Sequence, residues 1–400
     1  LSGLISVDDA LTLLAQHKPD TSVETVPIAE AQGRQLAEPV SARVSRPPAN
    51  VSAMDGYAVR LVDVGQPGAR LRVAGEAPAG APFAGRVSEG QAVRIFTGGE
   101  LPDGADHIVI QEDADRDGDE VTCREAYDSA QFVRPAGMDF KRGAVLMAPG
   151  TVIEAAELAL AASANLAALP VYRRPRIGVL ANGNELRAPG SELGPGEIVN
   201  SNPIGLSALI RDWGGEPVNL GIAKDTMESI ASHIADGDSI DIFLPVGGAS
   251  VGDHDLMRPA FAAAGFKPVF EKVAVRPGKP TWFSTRADAS VLGLPGNPAS
   301  ALVCAQLFLK PLINGRMHHF VRAAAAVDIP ANGPREHFMR ASVDINTDGR
   351  LQANPATNQD SSLIRPFLLS AGLVRRKPNS PAVKAGELVD LLVIRPVYGV

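Results

Sequence analysis

The stretch Ile240-Asp241-Ile242-Phe243-Leu244-Pro245-Val246, running on into Gly247-Gly248-Ala249-Ser250-Val251-Gly252-Asp253-His254-Asp255, decides how the chain is read. A short apolar run that breaks into a glycine-rich turn has the pattern of a buried strand followed by a binding loop. A second copy follows, where Ser290-Val291-Leu292-Gly293-Leu294 opens into Pro295-Gly296-Asn297-Pro298-Ala299-Ser300 ahead of a helical run over 301–309. Between the two lies the basic segment Lys272-Val273-Ala274-Val275-Arg276-Pro277-Gly278-Lys279-Pro280. Parallel strands of an open sheet end at one edge, where loop amides and helix N-termini point outward and favour anions. Two such loops with Lys272, Arg276 and Lys279 make an anion site, to which Ser250, Asn297 and Ser300 add neutral hydrogen-bonding groups. Asp253 and Asp255 repel phosphate unless a divalent cation lies between, so magnesium is expected. The competing reading is a plain strand-to-helix turn over 247–252 with the aspartates as helix caps.

Outward from this stretch the chain alternates regularly. A strand over 176–180 leads into the loop Ala181-Asn182-Gly183-Asn184-Glu185-Leu186, then come a helix over 203–213, a strand over 217–222 and a helix over 226–235. Such alternation predicts a parallel sheet with helices on both faces. Further out, the pattern is of short alternating runs and turns. One set covers 71–73, 91–96, 107–111 and 120–123; the other covers 321–329, 337–346, 351–354, 372–377 and 388–396. Each reads as a small β domain. Before them, Ser6 and Asp9 form a capping-box pattern for a helix over 7–16. A short helix over 28–36, a strand over 37–46 and an alanine-rich helix over 154–168 are also expected, the last returning to the N-terminal segment. The expected domains are 1–46 with 141–173, an inserted β domain 47–140, an α/β domain 174–318 and a C-terminal β domain 319–400.

Four hundred residues exceed one ordinary core, so two to four domains are expected. A formal net charge of -7 argues against a general nucleic-acid binder and confines any basic site to a local patch. The two cysteines, Cys123 and Cys304, stand far apart and argue against a disulfide framework or a structural zinc site. No apolar run reaches the roughly 18 residues that span a bilayer, and the first residues lack the signal-peptide pattern, so a cytoplasmic protein without membrane partners is expected. The seven histidines, the pair His318-His319 included, lack metal-ligand company and are assigned no chemistry.

In one order, Ser52-Ala53-Met54-Asp55-Gly56-Tyr57-Ala58, Thr97-Gly98-Gly99-Glu100-Leu101-Pro102-Asp103-Gly104-Ala105, the loop 247–255, Arg276-Pro277-Gly278-Lys279-Pro280, the run 293–300 and Gly333-Pro334-Arg335-Glu336-His337-Phe338-Met339-Arg340-Ala341 resemble the molybdopterin molybdenumtransferases. These are the bacterial MoeA type, whose eukaryotic relative is the gephyrin E domain. The resemblance implies a multidomain α/β plus β fold. Its parts are a central molybdopterin-binding-type α/β domain with a parallel-rich sheet, an inserted small β domain and a C-terminal β domain, in an elongated, L-shaped subunit of a homodimer. It places the site where the α/β domain of one subunit faces the inserted domain of its partner. It also implies the reaction: magnesium-dependent hydrolysis of adenylylated molybdopterin, insertion of molybdate at the dithiolene and release of AMP. An upstream molybdopterin adenylyltransferase and downstream molybdoenzymes or their chaperones are the partners it implies.

Residue by residue, the resemblance assigns catalysis to Asp55, Thr97, Glu185, Asp225 and Asp255, and magnesium to Glu185, Asp225 and Asp255. Substrate contacts fall on Arg134, Gly247, Gly248, Ser250, Lys272, Arg276, Lys279, Pro295, Asn297, Pro298 and Ser300. Alone, Asp55 reads equally as a turn cap, Lys272 and Arg276 as a solvated face, Asp225 as an N-cap, and Asn200 and Asn202 as turn residues. Three acidic positions of the family pattern are neutral here: Asn184 and Asn200 replace aspartates, and Met138 a glutamate. The loss of negative charge supports a second expectation, a catalytically weakened relative that acts as a molybdopterin-binding or scaffold protein. A different nucleotide- or phosphosugar-binding α/β enzyme ranks last, because no P-loop or dinucleotide fingerprint of the usual spacing is present.

Overall fold

The computed structural model describes residues 3–19, 21–247 and 256–397. The glycine-rich stretch 248–255, with Gly248, Ser250, Asp253 and Asp255, lies outside the described residues. The chain divides into two compact units, 22–173 and the remainder.

The larger unit carries a six-stranded sheet ordered Glu216–Ala223, Arg176–Asn182, Ile242–Val246, Ser290–Gly293, Trp282–Thr285, Lys267–Phe270. Its first four strands pair in parallel, and Trp282–Thr285 pairs antiparallel with both of its neighbours. Both faces are covered, so the strands are almost wholly apolar instead of alternating with polar residues. Ile242, Leu244 and Val246 pack with Leu206, Ile210 and the 299–313 helical run on one face. Phe243 packs with Ile230, Ile234 and Phe261 on the other. The loop after Ile242–Val246 and the loop after Ser290–Gly293 leave the same edge, since the parallel bridge Val246 to Leu294 holds the two strand ends side by side.

A second sheet of the same unit closes on itself. Glu336–Ile345, Leu351–Pro355, Val321–Ala325, Leu388–Val393 and Gly372–Arg376 follow in order, and the last pairs again with Glu336–Ile345 to complete a five-stranded barrel. The strand Val275–Arg276 joins the barrel alongside Glu336–Ile345, with Arg276 opposite His337. The basic segment is therefore tied to both sheets.

The smaller unit is built on a mixed sheet ordered His107–Ile110, Gly56–Val59, Gln91–Ile95, Arg70–Ala77, Glu120–Cys123, Ala114–Asp117. A separate core holds Val26, Leu36, Val40, Ile153, Leu169 and Val171 around the helix Ala155–Ser163.

Four local expectations change. The helix Val7–Ala15 is capped by Ser6 as its sequence dictates, but its apolar face (Val7, Ala10, Leu11, Leu14) joins the core of the α/β sheet, and Leu4–Ile5 pairs with Lys272–Val273. In place of a helix over 28–36 there is one 3-10 turn, Ile28–Glu30, because the backbone groups of Gly33, Arg34 and Leu36 bond to Ile153 and Thr151 instead of to one another. The strand expected over 37–46 shrinks to Val40–Ser41, behind Pro39, which lacks a donor. The helix expected over 301–309 starts earlier, at Pro298, and continues through a π-helical turn, Ala305–Leu309, to Asn314.

Candidate active site

At the edge where the parallel strands end, two clefts adjoin. The first, of about 540 Å³, is lined by Glu185, Leu186, Ile198, Val199 and Pro298, and by the amides of Asn182, Asn200, Asn202 and Asn297. The second, of about 500 Å³, is lined by Arg276, Lys279, Arg335, Ser300 and the loop residues 358–361. Pro280, Pro295 and Asn297 belong to both and form the shared wall. One cleft is therefore apolar with amide groups, and its neighbour is basic.

Each wall has a local cause. Gly247 takes φ 104°, and a Cβ there would stand 2.7 Å from the Asn182 carbonyl, so only glycine lets the strand end turn so close to its neighbour. Gly278 lies on the buried Cys304 thiol, where a Cβ would be 2.1 Å from Sγ. Thr281 Oγ1 donates to the Gly278 carbonyl at 2.8 Å and fixes the turn that presents Lys279. Asn202 Nδ2 donates to the Gly296 carbonyl at 2.7 Å, and Asn297 Nδ2 to Ser361 Oγ at 2.8 Å. Asn200 and Asn202 both line the cleft, and Asn202 opens the helix Asn202–Asp212. Behind them, the Arg187–Glu197 ion pair braces the short ribbon of Leu186–Arg187 and Ile198–Val199 that follows Glu185.

The carboxylates of this edge are individually placed. The Glu185 carboxylate lies against Gly183. Asp225 does not cap the next helix; Thr226 does, accepting from the Ser229 amide at 3.2 Å. Asp225 instead accepts from the Asn184 amide at 3.2 Å, while Asn184 Oδ1 accepts from the Asp225 amide at 3.3 Å. That reciprocal pair clamps the Glu185 loop to the end of the strand Glu216–Ala223 and gives Asn184 a role that a neutral side chain fills. Among the described residues no three His, Cys, Asp or Glu side chains gather closely enough to hold a metal by themselves. An oxygen-only set of one or two carboxylates is nevertheless the donor chemistry of magnesium, which keeps water and takes further oxygens from phosphates. Asp255, the third expected ligand, lies outside the described residues.

Lys272 lines neither cleft: its strand pairs opposite Leu4. Spacing along the chain could not reveal that contact with a distant segment. Four arginines, 276, 335, 340 and 376, surround His337; burial first and then these cations push the imidazole down to about 4. The histidine stays neutral and leaves the positive field of the basic cleft to the guanidinium groups. Arg335 and the loop 358–362 carried no site assignment in the sequence, although the polar run Asn358-Gln359-Asp360-Ser361-Ser362 marks a loop able to bind.

In the smaller unit, Asp55 sits just before the central strand Gly56–Val59 and Thr97 just after its neighbour Gln91–Ile95. Asp55 Oδ1 accepts from the Thr97 amide at 2.7 Å and from its hydroxyl at 2.9 Å. These two donors, the amide foremost, hold the carboxyl below the ordinary carboxylate range, so it is ionised at neutral pH. Arg94, stacked over Tyr57 and Phe96, donates to the Gly56 carbonyl at 3.1 Å and steadies the same corner. Arg134 is exposed on a short strand paired with Val51–Ser52, which leads into Asp55.

Residues 5–165 match the family described as the MoeA N-terminal region (domain I and II), 178–315 a probable molybdopterin binding domain, and 322–394 the MoeA C-terminal region (domain IV). The molybdopterin molybdenumtransferase of Haemophilus influenzae is 33% identical, over 97% of this chain and 98% of that protein. This chain belongs to the MoeA family. The Nostoc molybdopterin molybdenumtransferase is 36% identical over 85% of this chain and 81% of its own length. A solved MoeA-family structure, the molybdopterin biosynthesis protein of Pyrococcus horikoshii OT3, superposes with a TM-score of 0.83 at 27% identity, covering 98% of this chain and all of that one. The fold is the multidomain α/β plus β architecture of these MoeA proteins. Among the described residues no helix is long and apolar enough to cross a membrane.

Proposed function

We propose that this chain inserts molybdenum into molybdopterin, taking adenylylated molybdopterin and molybdate and releasing AMP. The observation that carries the reading is the pair of clefts with one shared wall, since a substrate with a flat heterocycle and an anionic end needs both surfaces side by side. The names of the relatives, molybdopterin molybdenumtransferase, agree with it.

Leu186, Ile198 and Val199 receive the face of the heterocycle, while the amides of Asn182, Asn200 and Asn297 bond its polar edge. Arg276, Lys279 and Arg335 hold oxyanions, molybdate and phosphate alike, through charge-assisted hydrogen bonds. Glu185 and Asp225, with Asp255, would hold magnesium, which would supply neutralisation of charge on the phosphoanhydride. Asp55, ionised and locked through one oxygen by Thr97, orients the attacking water and accepts its proton. Water supplies the oxygen that replaces the bridging bond, and AMP leaves.

The chain acts as a homodimer in the cytoplasm, with 47–140 of a second copy closing over the clefts of the first. The full division proposed is 1–46 with 141–173, 47–140, 174–318 and 319–400. An adenylyltransferase supplies the substrate, and molybdoenzymes or their chaperones take the product.

The test is a pair of titrations, with adenylylated molybdopterin and with molybdate. Both are expected to bind, with Asn297→Leu weakening the first and Lys279→Ala the second. A chain that binds neither overturns the reading.

A further inference from the structure

The motif 333–341 has entered the site only through Arg335 and the field around His337, yet it also carries Arg340. This side chain is 1% exposed and is the largest fully buried one among the described residues. Shutting a guanidinium from water costs several kcal/mol unless its donors are all met, and an apolar side chain would fill the same volume without that cost. The partners of Arg340 explain why a cation stands there. Nη1 donates to the Leu363 carbonyl; Nη2 donates to the carbonyls of Asp360 at 2.9 Å and Asn358 at 3.3 Å. The Arg340 amide donates to Gln359 Oε1 at 3.0 Å, and Gln359 Nε2 returns to the carbonyls of Arg340 at 2.9 Å and Ala356 at 2.8 Å. The loop 356–363 is wound about one side chain, with its carbonyls turned inward to the charge.

The same loop forms part of both clefts. Asn358, Gln359, Asp360 and Ser361 line the basic one and Ser362 the other. Ser361 meets the shared wall twice, accepting from Asn297 Nδ2 at 2.8 Å and, through its carbonyl, from the Ala299 amide at 3.0 Å. Apart from the Ala356 amide, which donates to the Arg340 carbonyl at 2.8 Å, and the local turns at Asn358 and Asp360, the loop is held by the guanidinium on one side and the wall on the other.

We propose that Arg340 is a positioning residue for oxyanion capture: it holds the loop 356–363 against the shared wall and so sets how tightly the basic cleft grips its anion. The proposal rests on reading that cleft as the molybdate site. A lysine cannot replace it, because one ammonium does not reach three divergent carbonyls as a planar fork does.

The experiment is calorimetric titration of the full-length protein with molybdate alone, for wild type, Arg340→Lys and Val343→Ala. Val343 is buried in the same barrel and touches no cleft, so its truncation reports barrel destabilisation alone. Arg340→Lys is expected to weaken molybdate binding about tenfold, the loss of roughly one charge-assisted hydrogen bond, with faster amide exchange over 356–363. Val343→Ala is expected to lower Tm with molybdate affinity unchanged. Equal affinity of Arg340→Lys and wild type, or equal weakening by Val343→Ala, overturns the proposal. A wild type that binds no molybdate overturns the reading of the cleft itself, and this proposal with it. Should Arg340→Lys not fold, Gln359→Met removes the reciprocal bonds from the loop side. It is then expected to weaken binding about fivefold and speed exchange over 356–363, and unchanged binding with unchanged exchange overturns the proposal.

Discussion

Around Asn297 the chain builds an enclosure: two clefts, a shared wall of prolines, and buried supports such as Cys304 and Arg340 behind it. Around Asp55 the feature on display is different: a single carboxylate stands at a strand end, held through one oxygen by Thr97. The first region is suited to recognise shape and charge, and the second to present one reactive group. Under the proposed function, the contrast makes binding and chemistry separable. Substitutions in the enclosure should change affinity, and substitutions at the corner should change turnover with affinity kept.

The sharpest way to break that comparison is Asp55→Ala beside Glu185→Ala. Each is expected to lower AMP release by roughly a hundredfold or more, and Asp55→Ala is expected to leave ligand affinity unchanged. A parallel loss of affinity would show that the corner binds as well as reacts. Mixing the two inactive variants under subunit exchange then asks whether the corner of one copy serves the clefts of another. Random exchange gives mixed dimers with one intact site of two, so about a quarter of wild-type activity should return. No recovery would place both groups of a working site in the same copy.

Thr97→Val is a milder change. It removes the hydroxyl and leaves the backbone donor, so turnover should fall about tenfold. The Asp55 carboxyl should also rise toward its ordinary range, moving the acid limb of the pH–rate profile to higher pH. An unmoved limb would detach Asp55 from the rate.

The smallest effect is on stability. His337 is depressed to about 4 in the folded chain, while unfolded histidine titrates near 6.5. The unfolded state therefore binds the proton first. Stability is complete above about 6.5 and is lost as pH falls toward 4, by at most about 3 kcal/mol. His337→Gln should flatten that part of the denaturation curve, and an unchanged curve would assign the acid loss to other groups.

Much of this was legible in the chain. The apolar strands Ile242–Val246 and Ser290–Gly293 and the turn after the second follow from short apolar runs punctuated by glycine and proline. Asn297 and Ser300 follow the end of Ser290–Gly293, and the segment carrying Arg276 and Lys279 meets them through its pairing with the barrel. What stayed hidden depends on contacts far apart in sequence. Lys272 is drawn to Leu4, Gly33 to Ile153, and the loop 356–363 to Asn297, which becomes visible only once the barrel has closed. Asn184 illustrates the limit in the other direction. Its neutrality pointed to a weakened site, yet its side chain and amide both engage Asp225.

The most direct test of molybdenum insertion is incubation of the purified chain with adenylylated molybdopterin, magnesium and molybdate, following AMP and active cofactor together. The account predicts that the two appear in equal amounts. Substrate that binds while neither product forms would contradict it and leave the chain a molybdopterin-binding protein.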